Sequence, residues 1–199
     1  MPKIIDKKEK KAKILEASIR VFAKKGIGNT KMIDIAEAAD IGKGTIYEYF
    51  QSKEEIVEAS FLFFLDGVED IFSRRLIGVA DPLEKLSAYI SAWADVLGSE
   101  YLDYVEIILD FWAEGIRTKG KFATVDLLKF YDDSRALVRS LLDECVAKKK
   151  INLVDTTVVA SVIIGALDGL IIQWVMDRHV FDMKAAVHTL AKVIIEGLK

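Results

Sequence analysis

The stretch TKMIDIAEAADIGKGTIYEYFQSK, residues 30–53, decides how the start of this 199-residue chain folds. Its apolar residues recur at i, i+3, i+4 and i+7, which predicts a short helix with one apolar face. These residues are Met32, Ile35, Ala36 and Ala39. Thr30 is expected to be the N-cap of this helix. Asp40 tolerates a left-handed backbone and Gly42 follows it, so a sharp corner into a second helix is expected.

The second helix presents two different faces. Ile46 and Phe50 are four residues apart and are expected to point inward. Lys43 and Tyr47 have the same spacing on another face, where a cation and a phenol suit a groove lined by phosphates. The stretch therefore predicts a helix-turn-helix that binds double-stranded DNA.

The same residues resemble the N-terminal signature of TetR-type transcriptional repressors. They are Thr30, Asp34-Ile35-Ala36, Lys43-Gly44-Thr45-Ile46-Tyr47, Tyr49-Phe50 and Ser52-Lys53-Glu54-Glu55. The resemblance implies that the third helix enters the major groove. It also implies a larger C-terminal helical domain that dimerises and holds a small-molecule pocket. The chain departs from the family pattern at Asp40, Gly42 and Glu48.

The position of each residue in this motif predicts a DNA-binding set. The set is Thr30, Lys31, Gly42, Lys43, Gly44, Thr45, Tyr47, Glu48 and Lys53. The major groove is expected to receive Lys43, Thr45 and Tyr47, while the cations Lys31 and Lys53 grip the flanking backbone together with Thr30. The two glycines permit close approach. A carboxylate at Glu48 repels phosphates, but it can accept a hydrogen bond from a cytosine amine.

Charge divides the chain into two parts of opposite sign. Residues 1–53 hold 12 Lys and Arg against 7 Asp and Glu, for a net charge of +5. Residues 54–199 hold 16 against 24, for a net charge of -8. A basic part is attracted to a polyanion and an acidic part is not. We therefore expect a DNA-binding domain over residues 1–52, and the family resemblance implies that residues 53–199 form a ligand-binding and dimerisation domain.

Periodicity and the shortage of proline predict an all-α fold of about nine helices. Only Pro2 and Pro82 occur, so long stretches are free to be continuous helix. Besides the two helices of the motif, helices are expected over residues 7–25, 53–77, 82–97, 100–117, 122–149, 155–177 and 182–198. The helix over 53–77 is about 35 Å long, enough to belong to both domains.

Aromatic residues of the larger domain suit an apolar cavity for a small molecule. They are Phe64, Phe72, Tyr89, Trp93, Tyr104, Phe111, Trp112, Phe130 and Tyr131. Plain helix packing is the alternative for each of them. Asp168, a carboxylate among apolar residues, either orients a ligand or has a structural partner such as an arginine. The resemblance places the effector here, and we expect a bulky, largely apolar compound such as a fatty-acyl derivative or an aromatic molecule.

The last two helices carry a predicted homodimer interface. Its residues are Gly165, Gly169, Val187, Leu190, Ala191, Ile194 and Leu198. Packing within one protomer is the alternative use of these faces. The family resemblance favours a two-fold dimer, whose recognition helices about 34 to 36 Å apart would read a palindromic operator.

Several other classes of protein are not expected. One cysteine, Cys145, permits no intramolecular disulfide, and no metal site, cofactor or catalytic set is evident. Gly165, Asp168, Gly169 and Gln173 interrupt the apolar segment 158–175, so a cytoplasmic protein without a membrane span is predicted. Two alternatives remain. One is an enzyme with Asp168, Glu106 or Asp110 as base, and the other is a helical adaptor whose basic part binds protein.

Overall fold

The computed structural model describes residues 7–98, 107, 109–110, 112–113, 116–117, 121–122 and 125–199. Eight helices and one short strand pair are described, in agreement with the predicted all-α class. The helices are α1 (Lys7–Lys25), α2 (Met32–Ala38), α3 (Lys43–Ile46), α4 (Lys53–Leu76), α5 (Pro82–Leu97), α6 (Leu127–Ala147), α7 (Thr156–Met176) and α8 (Met183–Leu198). The strands β1 (Lys121–Phe122) and β2 (Val125–Asp126) are antiparallel.

The chain forms two compact units. The first unit consists of Met1–Gly67 and Glu106–Asp126, and the second consists of Val68–Val105 and Leu127–Lys199. Helix α4 therefore contributes residues to both units. The boundary predicted between residues 52 and 53 separates a DNA-binding domain from a ligand-binding and dimerisation domain. This division of functions stays a prediction.

The first unit contains the helix-turn-helix. Helix α1 packs on α2, and α2 packs on α3. The core side chains of these helices include Phe22, Ile35, Ile46 and Phe50, each at most 1 % exposed. Burial of a side chain of this size stabilises the fold by about 1.5 to 3 kcal/mol. The inward direction predicted for Ile46 and Phe50 is confirmed.

The corner between α2 and α3 is made by Asp40. Its φ of 53° is left-handed, as predicted. Gly42 has φ -66° and ψ 148°, an extended conformation that any residue adopts, and it is the N-cap of α3. The turn therefore depends on Asp40 and does not require a glycine at position 42.

The N-cap of α2 is Lys31, so the prediction of Thr30 was wrong. Thr30 is only 2 % exposed, and its hydroxyl donates a hydrogen bond to the carbonyl of Gly26 over 2.8 Å. The backbone N–H of Lys31 instead donates to the Asp34 carboxylate, also over 2.8 Å. Thr30 thus closes the turn after α1 from the inside.

In the second unit, α5 packs on both α6 and α8, and α7 packs on both α6 and α8. The N-caps Asp81, Asp155 and Asp182 accept hydrogen bonds from the first turns of α5, α7 and α8. The fully buried core side chains include Leu86, Ile90, Leu142, Ile163 and Val187. Cys145 is also buried, and burial raises the pKa of its thiol.

One predicted helix begins later than expected. The helix predicted from residue 122 begins at Leu127, because Phe122 and Val125 pair in the two-residue ladder. Val125 is β-branched, which favours extended backbone. Of the helix predicted over residues 100–117, all described residues from 107 onward are helical, and its start lies outside the described residues.

Helix α7 is unusually apolar on its outside. By length and composition it is the one helix among the described residues that could cross a membrane, with a mean hydropathy of 2.0. Only 22 % of this apolar stretch is buried in the protomer. The core helix of a soluble protein can have the same length and composition.

Candidate nucleic-acid interface and ligand site

Helix α3 and the turn after it, residues 43–50, have an exposed polar side and a buried apolar side. Tyr47 is 43 % exposed and Lys43 is exposed, whereas Ile46 and Phe50 are fully buried. Lys11 of α1 places its ammonium 5.1 Å from the ring centroid of Phe50, a cation–π contact. The packing beneath α3 thus fixes the direction in which Lys43 and Tyr47 point.

The two glycines of the motif are not required by the protomer. Gly44 is exposed, and a Cβ added there would meet no atom within 4 Å. A Cβ on Gly42 would make one ordinary contact with Thr45, which is half-buried. Glycine in a helix costs about 1 kcal/mol relative to alanine. Gly44 therefore keeps one surface of α3 open at some cost in stability.

Three residues expected at the flanking DNA backbone have different surroundings. Lys31 is exposed. Lys53 is half-buried, and its ammonium donates hydrogen bonds to the carbonyls of Ile27 and Gly28 over 2.9 and 3.4 Å. Thr30 is buried, so its side chain is not available at the surface. Of the three, Lys31 has an exposed side chain.

Two contacts that stabilise the first unit could not be predicted from the apolar periodicity of the sequence. Lys25 of α1 forms a 2.8 Å ion pair with Asp34 of α2. The hydrogen bond from Lys25, helped by the Lys31 N–H, lowers the pKa of Asp34. Ser18 of α1 and Ser60 of α4 are joined by a buried 2.8 Å hydrogen bond. Each contact joins two different helices, and the periodicity of a single helix does not predict such a pair.

In the second unit, three predicted ligand residues form an aromatic cluster. Phe72 lies 4.8 Å from Tyr89 and 5.4 Å from Trp93 between ring centroids. Burial raises the pKa of Tyr89 to about 12, and a hydrogen bond with the Trp93 side chain opposes this rise. Trp93 Nε1 is itself buried. We call Phe72, Tyr89 and Trp93 the α4–α5 aromatic cluster.

Asp168 of α7 pairs with a tyrosine and not with an arginine. The Tyr131 hydroxyl donates a 3.1 Å hydrogen bond to the Asp168 carboxylate. Burial raises the pKa of Asp168 to about 6, against the lowering effect of that hydrogen bond. Phe130 packs edge-on against Tyr131 with centroids 5.5 Å apart. An ionised Asp168 is thus poorly solvated, and the donor that the described residues give it, the Tyr131 hydroxyl, is neutral.

Of the other predicted ligand residues, the two that the structure describes, Phe64 and Trp112, belong to the first unit. Phe64 is buried in the first unit, 6.4 Å from Phe61, and Trp112 belongs to the same unit and is half-buried. Tyr104 and Phe111 lie outside the described residues. Within the second unit, the ligand prediction therefore depends on the α4–α5 aromatic cluster, Phe130, Tyr131 and Asp168.

The predicted dimer residues divide into two groups. Val187, Ala191 and Leu198 are 0, 3 and 7 % exposed, because they face the interior of the second unit. These three are therefore core residues of one protomer, a correction to their predicted place on a free surface. Gly165 is exposed, and Gly169, Leu190 and Ile194 are half-buried. The described part of the chain holds no cluster of three or more His, Cys, Asp or Glu suited to a metal.

Two family models match the chain, one in each part. The model for bacterial regulatory proteins of the tetR family matches residues 14–60, which include the helix-turn-helix. The model for the C-terminal part of BetI-type transcriptional repressors matches residues 82–198, more than half of the chain. The chain belongs to the TetR family of transcriptional regulators. The resemblance drawn from residues 30–55 is thereby confirmed.

Named relatives of this TetR-family regulator match over nearly their whole length. The fatty acid metabolism regulator protein of Bacillus subtilis is 24 % identical over 197 residues, covering 96 % of this chain and 97 % of the relative. The transcriptional regulator BetI of Paraburkholderia xenovorans is 25 % identical over 192 residues, covering 95 % and 93 %. These relatives are named as regulators and not as enzymes.

Solved structures share the fold of the TetR-family regulator. The fatty acid degradation regulator FadR from Bacillus halodurans superposes with a TM-score of 0.78 at 23 % identity, covering 96 % of each chain. FadR from Bacillus subtilis, solved in complex with stearoyl-CoA, gives a TM-score of 0.77 at 21 % identity, covering 94 % of this chain and 99 % of that one.

Proposed function

We propose that this TetR-family regulator is a cytoplasmic homodimeric repressor that binds palindromic operator DNA and is released by a largely apolar effector. The observation that carries the proposal is the two-faced helix α3. Lys43 of α3 and Tyr47 at its C-terminal end are exposed, whereas Ile46 and, in the turn that follows, Phe50 are buried. A short helix held in this way presents side chains to a groove without losing its own packing.

The DNA contacts are assigned by exposure. Lys43, Thr45 and Tyr47 enter the major groove, and the open surface at Gly44 lets the DNA come close. Lys31 contacts a flanking phosphate. Lys53 mainly stabilises the loop after α1 through its two hydrogen bonds to backbone carbonyls. The third N–H of its ammonium group is directed to the DNA backbone. The net charge of +5 over residues 1–53 supplies a salt-sensitive attraction.

The proposed dimer uses the outer stripes of α7 and α8. On α7, Val158, Val162, Gly165 and Gly169 follow the spacing i, i+4, i+7 and i+11. The two valines are 56 and 55 % exposed, and neither glycine has an atom within 4 Å of an added Cβ. On α8, the outer residues are Leu190, Val193, Ile194 and Gly197, of which Val193 is 59 % exposed. A second copy covers this apolar surface, and a two-fold axis makes the same patch serve both protomers.

The effector site is proposed at the α4–α5 aromatic cluster, with Phe130, Tyr131 and Asp168 as further contacts. Packed rings with few polar groups suit a largely apolar molecule. The relative FadR from Bacillus subtilis was solved with stearoyl-CoA. We accordingly propose a fatty-acyl compound as the first class to test, and we assign no catalytic reaction to this site.

Helix α4 transmits the effect of effector binding to the DNA-binding part, because its residues belong to both compact units. Phe72 of α4 belongs to the aromatic cluster of the second unit. Ser60 of the same helix is bonded to α1 of the first unit. An effector that displaces Phe72 therefore shifts a helix that is tied to the DNA-binding part. By linkage, the loss of operator affinity equals the difference in effector affinity between the two conformations.

The proposal is tested by titrating the full chain against DNA fragments from its own upstream region. Fluorescence anisotropy at several salt concentrations should give specific binding with a palindromic footprint and a steep salt dependence. Sedimentation velocity should give a dimer. Addition of fatty-acyl and aromatic compounds should release the DNA. A monomer with equal affinity for all sequences would contradict the repressor function and favour a helical adaptor.

A further inference from the structure

The first two turns of α1 carry lysines on the stripe that faces the core further along the helix. Leu15, Ser18 and Phe22 of this stripe are at most 6 % exposed. Lys7 and Lys11 continue the spacing of three or four residues toward the start of the helix, and both are exposed. The inner side of α1 therefore changes from buried and mostly apolar to exposed and cationic.

The acidic residues of α1 lie on the other side of the helix. Glu9 forms a 2.8 Å ion pair with Lys13, and Glu16 is exposed next to them along the helix. Lys11 and Lys13 are about 200° apart around the axis, because each residue of an α-helix turns it by about 100°. The carboxylates thus accompany Lys13, away from Lys7 and Lys11.

Lys11 lies close to the recognition element. Its ammonium is 5.1 Å from the ring centroid of Phe50. Phe50 continues the turn of α3, because its N–H donates a 3.0 Å hydrogen bond to the carbonyl of Ile46, and the exposed Tyr47 belongs to the same turn. A lysine can cover a ring with its aliphatic stem and keep its charged head in water. A cation of α1 is therefore held beside the surface that α3 is proposed to present to DNA.

A polyanion suits this part of the surface. Lys7 and Lys11 are one helical turn apart, and they belong to a part of the chain, residues 1–53, whose net charge is +5. Duplex DNA carries one negative charge per about 1.7 Å of its axis, so neighbouring cations can each meet a phosphate. The surface is also continuous with the proposed DNA contact at Tyr47.

We infer that Lys7 and Lys11 bind phosphates of the operator backbone beside the major groove that α3 enters. The inference rests on the proposed repressor function, and it deepens that proposal by adding contacts from α1 to those assigned to Lys31 and Lys53. Phosphate contacts position a protein and raise its affinity, but they carry no sequence information. Both lysines therefore act equally on operator and on other DNA.

Variants that remove the charge but keep the aliphatic stem test the inference. In fluorescence anisotropy, Lys11→Met should make the slope of log K against log salt shallower by about 0.9, and the double variant with Lys7→Met by about 1.8. A change of about 0.9 corresponds to binding about eightfold weaker at about 0.1 M salt, with no difference at about 1 M. Operator and random DNA should weaken by the same factor. Lys11→Arg keeps the charge and should keep the slope.

Lys13→Met is the matched control. It removes the same charge from the same turns of α1, but from the side that carries Glu9. Its slope should stay nearly unchanged, so the comparison separates a phosphate contact from a loss of net charge. The unfolding temperature of each variant shows whether the fold is intact. Lys7→Met tests the inference even when Lys11→Met is less stable, because Lys7 is the exposed first residue of the helix.

A second measurement maps the contacts on the DNA. Each operator phosphate is replaced in turn by an uncharged methylphosphonate. At one phosphate or more, the replacement should weaken binding of the unaltered protein. The same replacement should have a smaller effect on Lys11→Met, because both changes remove one contact and their effects are then not additive.

Three outcomes would contradict the inference. The first is an unchanged slope in both Lys7→Met and Lys11→Met. The second is an equal change in Lys13→Met, since the effect would then depend on net charge alone. The third is a lower unfolding temperature of Lys11→Met with an unchanged slope, which would show that Lys11 only packs on Phe50. Selective operator binding by the unaltered protein would leave the repressor function standing in all three cases, whereas its absence would overturn both proposals.

Discussion

The hydroxyl of Ser60 donates a hydrogen bond to the hydroxyl of Ser18, and both groups are buried. Their oxygens are 2.8 Å apart. The direction of donation follows because Ser18 uses its own hydrogen on the carbonyl of Leu15, 2.7 Å away. A shift of α4 by one residue, about 1.5 Å along its axis, breaks this bond inside an apolar core. The pair therefore makes α1 follow the N-terminal part of α4.

Loss of the hydrogen bond between Ser60 and Ser18 should lower the free energy of unfolding measurably. Ser60→Ala should lower the free energy of unfolding by about 1 kcal/mol, because one buried hydrogen bond is removed. The double variant Ser18→Ala with Ser60→Ala should cost less than the sum of the two single variants, since both remove the same bond. Urea unfolding measures these differences, with the exposed Ser140→Ala as control. Strict additivity would contradict the pairing.

Lys43→Ala should weaken operator binding and reduce its salt dependence. The slope of log K against log salt should become shallower by about 0.9 if Lys43 neutralises one phosphate. The control is Lys192→Ala, which removes an exposed cation from α8 near Glu196. Fluorescence anisotropy on operator and random DNA measures both affinity and selectivity. Unchanged affinity and selectivity in Lys43→Ala would refute the assigned role.

Gly44→Ala should lower the affinity for operator DNA without lowering the stability of the fold. A methyl group at this position meets no atom of the protein within 4 Å, so the fold should be as stable as before or more stable by up to about 1 kcal/mol. Operator affinity should fall, because the methyl group occupies the space that the DNA needs. Thermal unfolding and anisotropy on the same preparation give the two readings. Equal operator affinity would mean that DNA does not approach this surface.

Asp168→Asn should stabilise the protein near pH 7 but not near pH 4. Burial raises the pKa of Asp168 from its ordinary value of 3.8 to about 6. The unaltered protein therefore loses stability as the pH rises through this interval, because the folded state resists ionisation of the carboxyl group. Partial exposure limits the gain in Asp168→Asn to roughly 1 kcal/mol at pH 7. Urea unfolding of both proteins from pH 4 to 7 should give diverging curves, and parallel curves would contradict the assignment.

Val162→Glu should weaken the dimer. Val162 is 55 % exposed on the outer stripe of α7, and a charge there cannot be buried against a second copy without a large cost. Leu137→Glu is the matched control, since Leu137 is 45 % exposed on α6. Sedimentation velocity should give a smaller species for Val162→Glu only. A dimer that withstands the change would place the contact on another surface.

The features that sequence reasoning predicted well are local. Periodicity predicted the inward direction of Ile46 and Phe50, and the tolerance of aspartate for a left-handed backbone predicted the corner at Asp40. Neither feature depends on a distant residue. The two-residue ladder that delays α6 until Leu127 was missed, because such a short pairing has little signal of its own.

The features that the sequence did not predict depend on which other residues of the folded chain lie against a given side chain. An apolar stripe on α8 is evident from the spacing, but the spacing does not say that Val187 and Ala191 are buried within the protomer, where α8 packs on α5 and α7. The partner of Asp168 was likewise left open between a ligand and an arginine, and the structure supplies Tyr131. Thr30 had the right residue type for an N-cap, yet its hydroxyl bonds backward to Gly26.

The buried thiol of Cys145 has a practical consequence. Because it is shielded and because burial raises its pKa, it should react slowly with maleimide reagents. Cysteines introduced at exposed positions such as Lys24 can then carry spin labels without removal of the native residue. Distances between labels on two protomers would report how far apart the recognition helices are with and without effector.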